Sequence, residues 1–192
     1  MEIGWVGRWA NFNFDGAYFS NNIEDMISVE SSADGSSTYK NTEKETQIDG
    51  VAISAGIGPF NGWSLNSSAT WVNAEKKDDG EQLSQVPDFH AKADLQYRRQ
   101  TGGFGFDLMA RYTGDIYQRN LTGFDDVQYG DYFVFDFSTF ITIDKENRHK
   151  LTLRIENILD EEYETKWYRR KNADSFAYLY HDNGLPRNAV LG

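Results

Sequence analysis

The chain has 192 residues, a formal net charge of -11, no cysteine, and an aromatic content of 15% within a hydrophobic fraction of 39%. The acidity excludes a general nucleic-acid binder, which needs a basic face, and the lack of cysteine removes disulfides, thiolate metal sites and cysteine nucleophiles. So many rings exclude disorder, and no apolar run approaches the roughly 18 residues of a membrane helix, so any membrane span has to be made of strands.

From the start of the chain, Ile3, Trp5, Gly7 and Trp9 alternate with Gly4, Val6 and Arg8, the period-two signature of a strand with two different faces. Ala10-Asn11 is a tight connection to a second strand with Phe12, Phe14, Gly16 and Tyr18 on one face, extending as far as Val29. The Ser31–Ser37 cluster reads as a loop. A third strand carries Val51, Ile53, Ala55 and Ile57 on one face, and a turn at Gly58–Gly62 leads to a fourth with Trp63, Leu65, Ser67, Ala69 and Trp71. After a charged loop from Glu75 to Gln85, a fifth strand sets Phe89, Ala91, Ala93, Leu95 and Tyr97 against His90, Lys92, Asp94, Gln96 and Arg98.

Gln100–Gly103 turns the chain into a sixth strand, where Phe104, Phe106, Leu108, Ala110 and Tyr112 oppose Gly105, Asp107, Met109 and Arg111. A loop near Asn120–Tyr129 precedes a seventh strand with Phe133, Phe135, Phe137, Thr139, Ile141 and Ile143 on one face. Lys145–Arg148 is a turn, the eighth strand covers Lys150 to Tyr163, and a loop leads to a partial ninth strand after Gly184-Leu185-Pro186-Arg187.

Short turns and long loops alternate strictly, so each kind gathers at one end of a meander. The strands exceed the usual length of about 5–6 residues, and rings cap both ends of the apolar faces: Trp63 and Trp71, Phe89 and Tyr97, Phe104 and Tyr112. These features describe the wall of an antiparallel up-and-down transmembrane β-barrel with interfacial aromatic girdles. The alternatives are a soluble all-β domain, with the aromatic faces buried by a second sheet, and a small closed barrel of structural or adhesive role. The barrel expectation places Phe106, Leu108, Phe135, Phe137 and Leu153 facing outward, with the first strand and Pro186–Gly192 too far apart to pair. The polar faces hold Arg8, Lys92, Arg98, Arg111 and Arg154 beside Asp94, Asp107, Asp136 and Glu156, which cross-strand pairing would accommodate.

Asn157-Ile158-Leu159-Asp160-Glu161-Glu162-Tyr163 resembles the Asn-Leu-Phe-Asp-x-x-Tyr motif near the end of TonB-dependent outer-membrane receptors, and Gly184-Leu185-Pro186-Arg187 with Leu191-Gly192 resembles the start of their last strand. Weaker echoes follow in the family's order: Glu2-Ile3-Gly4 with Gly7 and Trp9, Phe19 with Ile23–Ile27, Ile48–Val51, Val86-Pro87, Arg111–Asp115 and Tyr129-Gly130. The resemblance implies that residues 1–192 are the C-terminal portion of a receptor barrel, about eight to nine strands of a roughly 22-stranded wall. On this expectation the plug domain and earlier strands are absent, and the last strand lacks its terminal aromatic residue.

The implied function is binding and import of an iron–siderophore or similar scarce chelate across the outer membrane of a Gram-negative bacterium. Energy would come from TonB through a plug domain outside this chain, with outer-membrane lipid around the wall. No cofactor and no catalytic residue are expected. The richest ligand candidates are Trp167, Tyr168, Arg169, Arg170 and Lys171 with Phe176, Tyr178, Tyr180 and His181, joined by Tyr117 and Arg119. Guanidinium groups can pair with carboxylate or hydroxamate oxygens, and rings can stack on a catecholate or macrocycle. Loop self-packing is the alternative for the aromatic residues. Asp160, Glu161 and Glu162 read as a solvated rim cluster, and His90, His149 and His181 lie too far apart in the chain for a recognisable metal spacing.

Overall fold

A computed structural model of the chain describes residues 1–24, 27–31, 37–41, 45–77, 80–119, 124–144, 148–171 and 177–191. Tight turns set the pairing at one rim. β1 (Glu2–Trp9) turns through Ala10-Asn11 into β2 (Phe12–Ile23), with Trp9 opposite Phe12. The connection beyond β2 carries a separate ribbon of β3 (Ile27–Ser31) and β4 (Ser37–Asn41). β2 therefore stops short of the expected Val29. β5 (Thr46–Phe60) and β6 (Trp63–Lys76) are joined by Asn61-Gly62, both at positive φ (51° and 90°). This is the turn chemistry that matches the twist of a hairpin. A side chain at position 62 would run into the Arg98 carbonyl oxygen.

β7 (Phe89–Arg98) passes through Gly102 and Gly103, each at φ 77°, into β8 (Phe104–Thr113). A second ribbon, β9 (Ile116–Gln118) with β10 (Val127–Tyr129), precedes β11 (Tyr132–Thr142). β12 (Lys150–Glu156) then ends earlier than expected, because Asn157 and Asp160 adopt positive φ values of 50° and 57° and turn the chain. Asn and Asp tolerate that region better than other side chains with a Cβ. The expected loop beyond is a hairpin, β13 (Glu164–Lys171) with β14 (Ala177–Asn183), and β15 (Asn188–Leu191) closes the described chain.

Nine of these strands form one antiparallel sheet in the order β1-β2-β5-β6-β7-β8-β11-β12-β15. The other six make three two-stranded ribbons, all inserted in connections at the same rim. β1 and β15 are the two edges of the sheet and, among the described residues, do not pair with each other, which matches the expected open arc and not the small closed barrel.

The register keeps one face apolar across the wall. A row across it reads Trp5, Gly16, Ile53, Ala69, Ala91, Tyr112 and Phe133. The next row, on the opposite face, reads Val6, Asp15, Ser54, Ser68, Lys92, Arg111 and Val134. Phe106, Leu108, Phe135, Phe137 and Leu153 all lie on the apolar face. Among the described residues the buried hydrophobic side chains are Ala74, Ile116, Tyr129 and Val134, none of them on that face, while Trp5 is 58% exposed and Trp71 48%. Among the described residues no second sheet covers it, so the apolar face is an outer surface of this sheet and not one half of a sandwich core.

The rings on this face fall into two bands. Near the short turns Trp63 meets Tyr97 at 4.9 Å and Phe106 at 5.5 Å; near the long connections Trp71 meets Phe89 at 4.6 Å, and Tyr112 meets Phe133 at 4.5 Å. Trp63 and Trp71 lie about 27 Å apart along a strand rising ~3.4 Å per residue. At a tilt near 40° that is about 20 Å along the membrane normal, close to the ~25 Å apolar band of an outer-membrane wall.

Candidate ligand site at the long-connection rim

Charge is neutralised on the polar face before any ligand is considered. Arg8 pairs with Asp15 at 2.8 Å, Arg98 with Asp107 at 2.6 Å and Arg111 with Asp136 at 2.9 Å. Each joins neighbouring strands on the diagonal, as when Arg98 stands opposite Gly105 and reaches Asp107. Arg154 pairs along its own strand with Glu156 at 2.7 Å. Asp107, Arg111, Asp136, Arg154 and Glu156 border a polar cavity of about 620 Å³, with Lys92 and Asp94 also lining it.

At the long-connection end the β13–β14 hairpin divides the candidate residues between two faces. Directly opposed residues share a face, so Trp167 and Arg169 go with His181 and Leu179, whereas Tyr168 and Arg170 go with Tyr180 and Tyr178. On the first face Trp167 stacks on His181 at 4.6 Å and 26°, and its Nε1 donates to Glu164 Oε2 at 2.6 Å. Glu164 Oε1 lies 3.7 Å from His181 Nδ1. On the second face Tyr168 and Tyr180 meet edge-on at 4.0 Å, the Arg170 guanidinium lies 4.7 Å from the Tyr180 ring centre, and Lys166 Nζ lies 5.6 Å from that of Tyr168.

The Tyr168 hydroxyl donates to Asp182 in a very short hydrogen bond. That bond, reinforced by hydrogen bonding with Tyr180, raises the Tyr168 pKa well above the ordinary phenol value. Phe176 lies outside the described residues, as does the side chain of Lys171.

Tyr117 and Arg119 come from the neighbouring ribbon and pack on each other, with the guanidinium 4.9 Å from the ring centre. Arg119 Nη1 also donates to Asp126 at 3.1 Å, and its backbone N–H donates to Ser84 Oγ at 3.0 Å. Burial within the same ribbon raises the Tyr129 pKa. β13 lies against β9, so the two candidate groups, far apart in sequence, are adjacent. Sequence reasoning missed Glu164, Lys166 and Asp182. A period-two reading of 164–171 would have flagged Glu164 and Lys166, and one of 177–183 would have flagged Asp182, but charged and aromatic residues fall on both faces there, and hydropathy alone shows no alternation. Asp160 is not a free rim charge; its Oδ1 accepts the Arg187 N–H at 2.9 Å.

The family model for the TonB dependent receptor-like β-barrel matches residues 1–158. Among solved structures, the ferric yersiniabactin uptake receptor FyuA from Yersinia pestis superposes with a TM-score of 0.77 at 20% identity, over 99% of this chain and 28% of that one. The ferric-catecholate import receptor Fiu from K12 E. coli gives 0.72 at 22% identity, over 99% and 26%. The ferripyoverdine receptor of the Pseudomonas aeruginosa outer membrane, bound to ferripyoverdine, gives 0.74 at 18%, over 99% and 26%. The chain thus spans about a quarter of the length of these receptors. A one-sided apolar wall with two aromatic bands, ribbons along one rim and this family match have one common explanation: the chain belongs to the TonB-dependent receptor β-barrel family of the Gram-negative outer membrane.

Proposed function

We propose that residues 1–192 form the C-terminal part of a receptor barrel that binds an iron–siderophore, or a similar scarce chelate, and imports it with energy from TonB acting on a plug domain. The observation that supports this reading is the approach of β13 to β9, which brings the strand bearing Tyr117 beside the hairpin, and we read these residues with Arg119 as one aromatic and cationic patch. The patch stands at the rim from which long connections reach the cell exterior. On the hairpin face that carries Tyr168 and Tyr180, the Arg170 guanidinium is a charged donor suited to an anionic chelate oxygen. Similarity to import receptors for ferric catecholate, ferric yersiniabactin and ferripyoverdine supports an iron chelate as the ligand class.

The chemistry is contact without covalent change. Tyr168, Tyr178 and Tyr180 offer ring faces to a flat or macrocyclic chelate, and Arg170 offers charge beside them, so this face of the hairpin meets ligand first. Trp167, Arg169 and His181 stand on the opposite face, beside Glu164. The test is binding and uptake of radiolabelled ferric chelates by cells carrying the receptor that contains this wall. Arg170→Ala is expected to weaken binding of an anionic chelate by about 5- to 30-fold, the loss of ~1–2 kcal/mol. Unchanged uptake after joint replacement of Tyr168, Arg170, Tyr178 and Tyr180 by Ala would remove the hairpin from the ligand site.

A further inference from the structure

We infer that Asn157 is a positioning residue, the centre of a joint that fixes how the β13–β14 hairpin hangs from the wall. It is 2% exposed, at a point where the chain leaves the sheet. Its backbone N–H donates to Asp136 Oδ1 at 2.9 Å, and the next N–H, of Ile158, donates to the Phe135 carbonyl at 2.7 Å. The turn is thereby docked on β11.

The Asn157 side chain then ties together the two legs of the connection. Its Nδ2 donates to the Glu161 carbonyl at 2.9 Å, on the way out to β13, and to the Leu185 carbonyl at 3.0 Å, on the way back from β14. Its Oδ1 accepts the Glu161 N–H at 2.9 Å. Both donors of the amide are used, one on each leg. No other side chain meets the whole requirement. Glycine tolerates the positive φ but brings no donors, and aspartate keeps the acceptor but cannot donate.

Two further fastenings lie beside it. Asp160 accepts the Arg187 N–H, while Arg187 Nη1 donates to the Ile158 carbonyl at 3.3 Å. Tyr163 stacks on Tyr132 at 4.3 Å, and the Gly184 N–H donates to the Tyr163 carbonyl at 2.7 Å. Any Cβ at Gly184 would overlap the Tyr163 ring. The joint also reaches inward, because the second oxygen of Asp136 holds Arg111 Nη2 at 2.9 Å, and Arg111 lines the polar cavity. A single network thus runs from the lumen wall to the base of the outer hairpin. It stands whatever ligand the hairpin meets.

The chain has no cysteine, so spin labels can be placed at will. One labelled pair, Asn13→Cys with Lys166→Cys, spans wall and hairpin; a second, Asn13→Cys with Thr152→Cys, lies within the wall. Distances are measured by double electron–electron resonance on the full chain in detergent micelles, with Asn157, Asn157→Asp and Asn157→Gly. The expected result is that both variants lose the single narrow wall-to-hairpin distance while the wall distance is unchanged. A wall-to-hairpin distance that stays narrow in either variant overturns the inference, since the side-chain donors then position nothing. Broadening of both distances together overturns it as well, because Asn157 would then serve folding of the wall and not the placement of the hairpin.

Discussion

The two faces of the nine-stranded sheet are made by the same residues in alternation and follow opposite rules. On the outer face the rows are rings, Ala, Leu and Ile, with the middle lined by Ile53, Ala55, Ala69, Ala91, Ala93 and Ala110. On the inner face, one residue along, Arg98, Asp107, Arg111 and Asp136 pair across strands. Neither face is buried by the described residues, so the contrast does not come from a core within this chain. Such a contrast is what an outer-membrane barrel wall requires, and the backbone of both faces is satisfied by the shared ladder. A soluble sheet would cover its apolar face with protein, whereas among the described residues this face is left open.

The largest effect expected from breaking this contrast is at the centre of the outer face. Ala93→Arg should destabilise the folded chain in lipid by about 2–4 kcal/mol, the depth-dependent cost of a cation facing hydrocarbon. Ser68→Arg, on the inner face of the neighbouring strand, should change little. Denaturant titration of both variants in bilayers makes the comparison, and equal costs would contradict the assignment of faces. Next comes the upper aromatic band. Trp71→Ala removes the 4.6 Å contact with Phe89 and should cost at least the ~0.5–1.5 kcal/mol of an aromatic pair, plus lost ring burial in the interface.

Smaller still is the inner-face pair Arg8–Asp15, whose partners are both substantially exposed. Arg8→Gln should leave stability almost unchanged, and the small effect should shrink further at high salt. The subtlest test is spectroscopic and sits on the hairpin. Tyr168 should ionise later than an ordinary tyrosine because its hydroxyl serves the Asp182 carboxylate. A raised pKa means that the bond's contribution is present below the unfolded value of about 10 and disappears as pH climbs through the folded value. In the tyrosinate absorbance, Asp182→Asn should bring this titration back toward the others, with Tyr168→Phe identifying the step.

The wall was legible in the sequence because both causes of its structure are local. Period-two alternation assigned the faces, and pairs such as Asn61-Gly62 marked the turns, so all nine wall strands could be read before their register was known. The ends of β2 and β12 were not legible. Ile155, Ile158 and Leu159 continue an apolar pattern through Asn157, and only the positive φ there, stabilised by hydrogen bonds to Asp136, Glu161 and Leu185, ends the strand. Those partners are 21, 4 and 28 residues away. The ligand candidates were expected near one rim, where the structure places those it describes, but their division between two faces of a hairpin depends on cross-strand register. Hydropathy carries no trace of that where both faces are polar.

Each of the β3–β4, β9–β10 and β13–β14 ribbons leaves the sheet from one wall strand and returns to the wall strand beside it. An insertion of this kind can be lengthened, shortened or exchanged without moving any strand out of register, since its two ends stay neighbours whatever lies between them. The membrane-spanning part of the sequence is therefore held to a strict alternation while the surface that strangers meet is free to diversify. Any pressure on the outer surface would act on the ribbons, and the wall could answer it by changing its fringe alone.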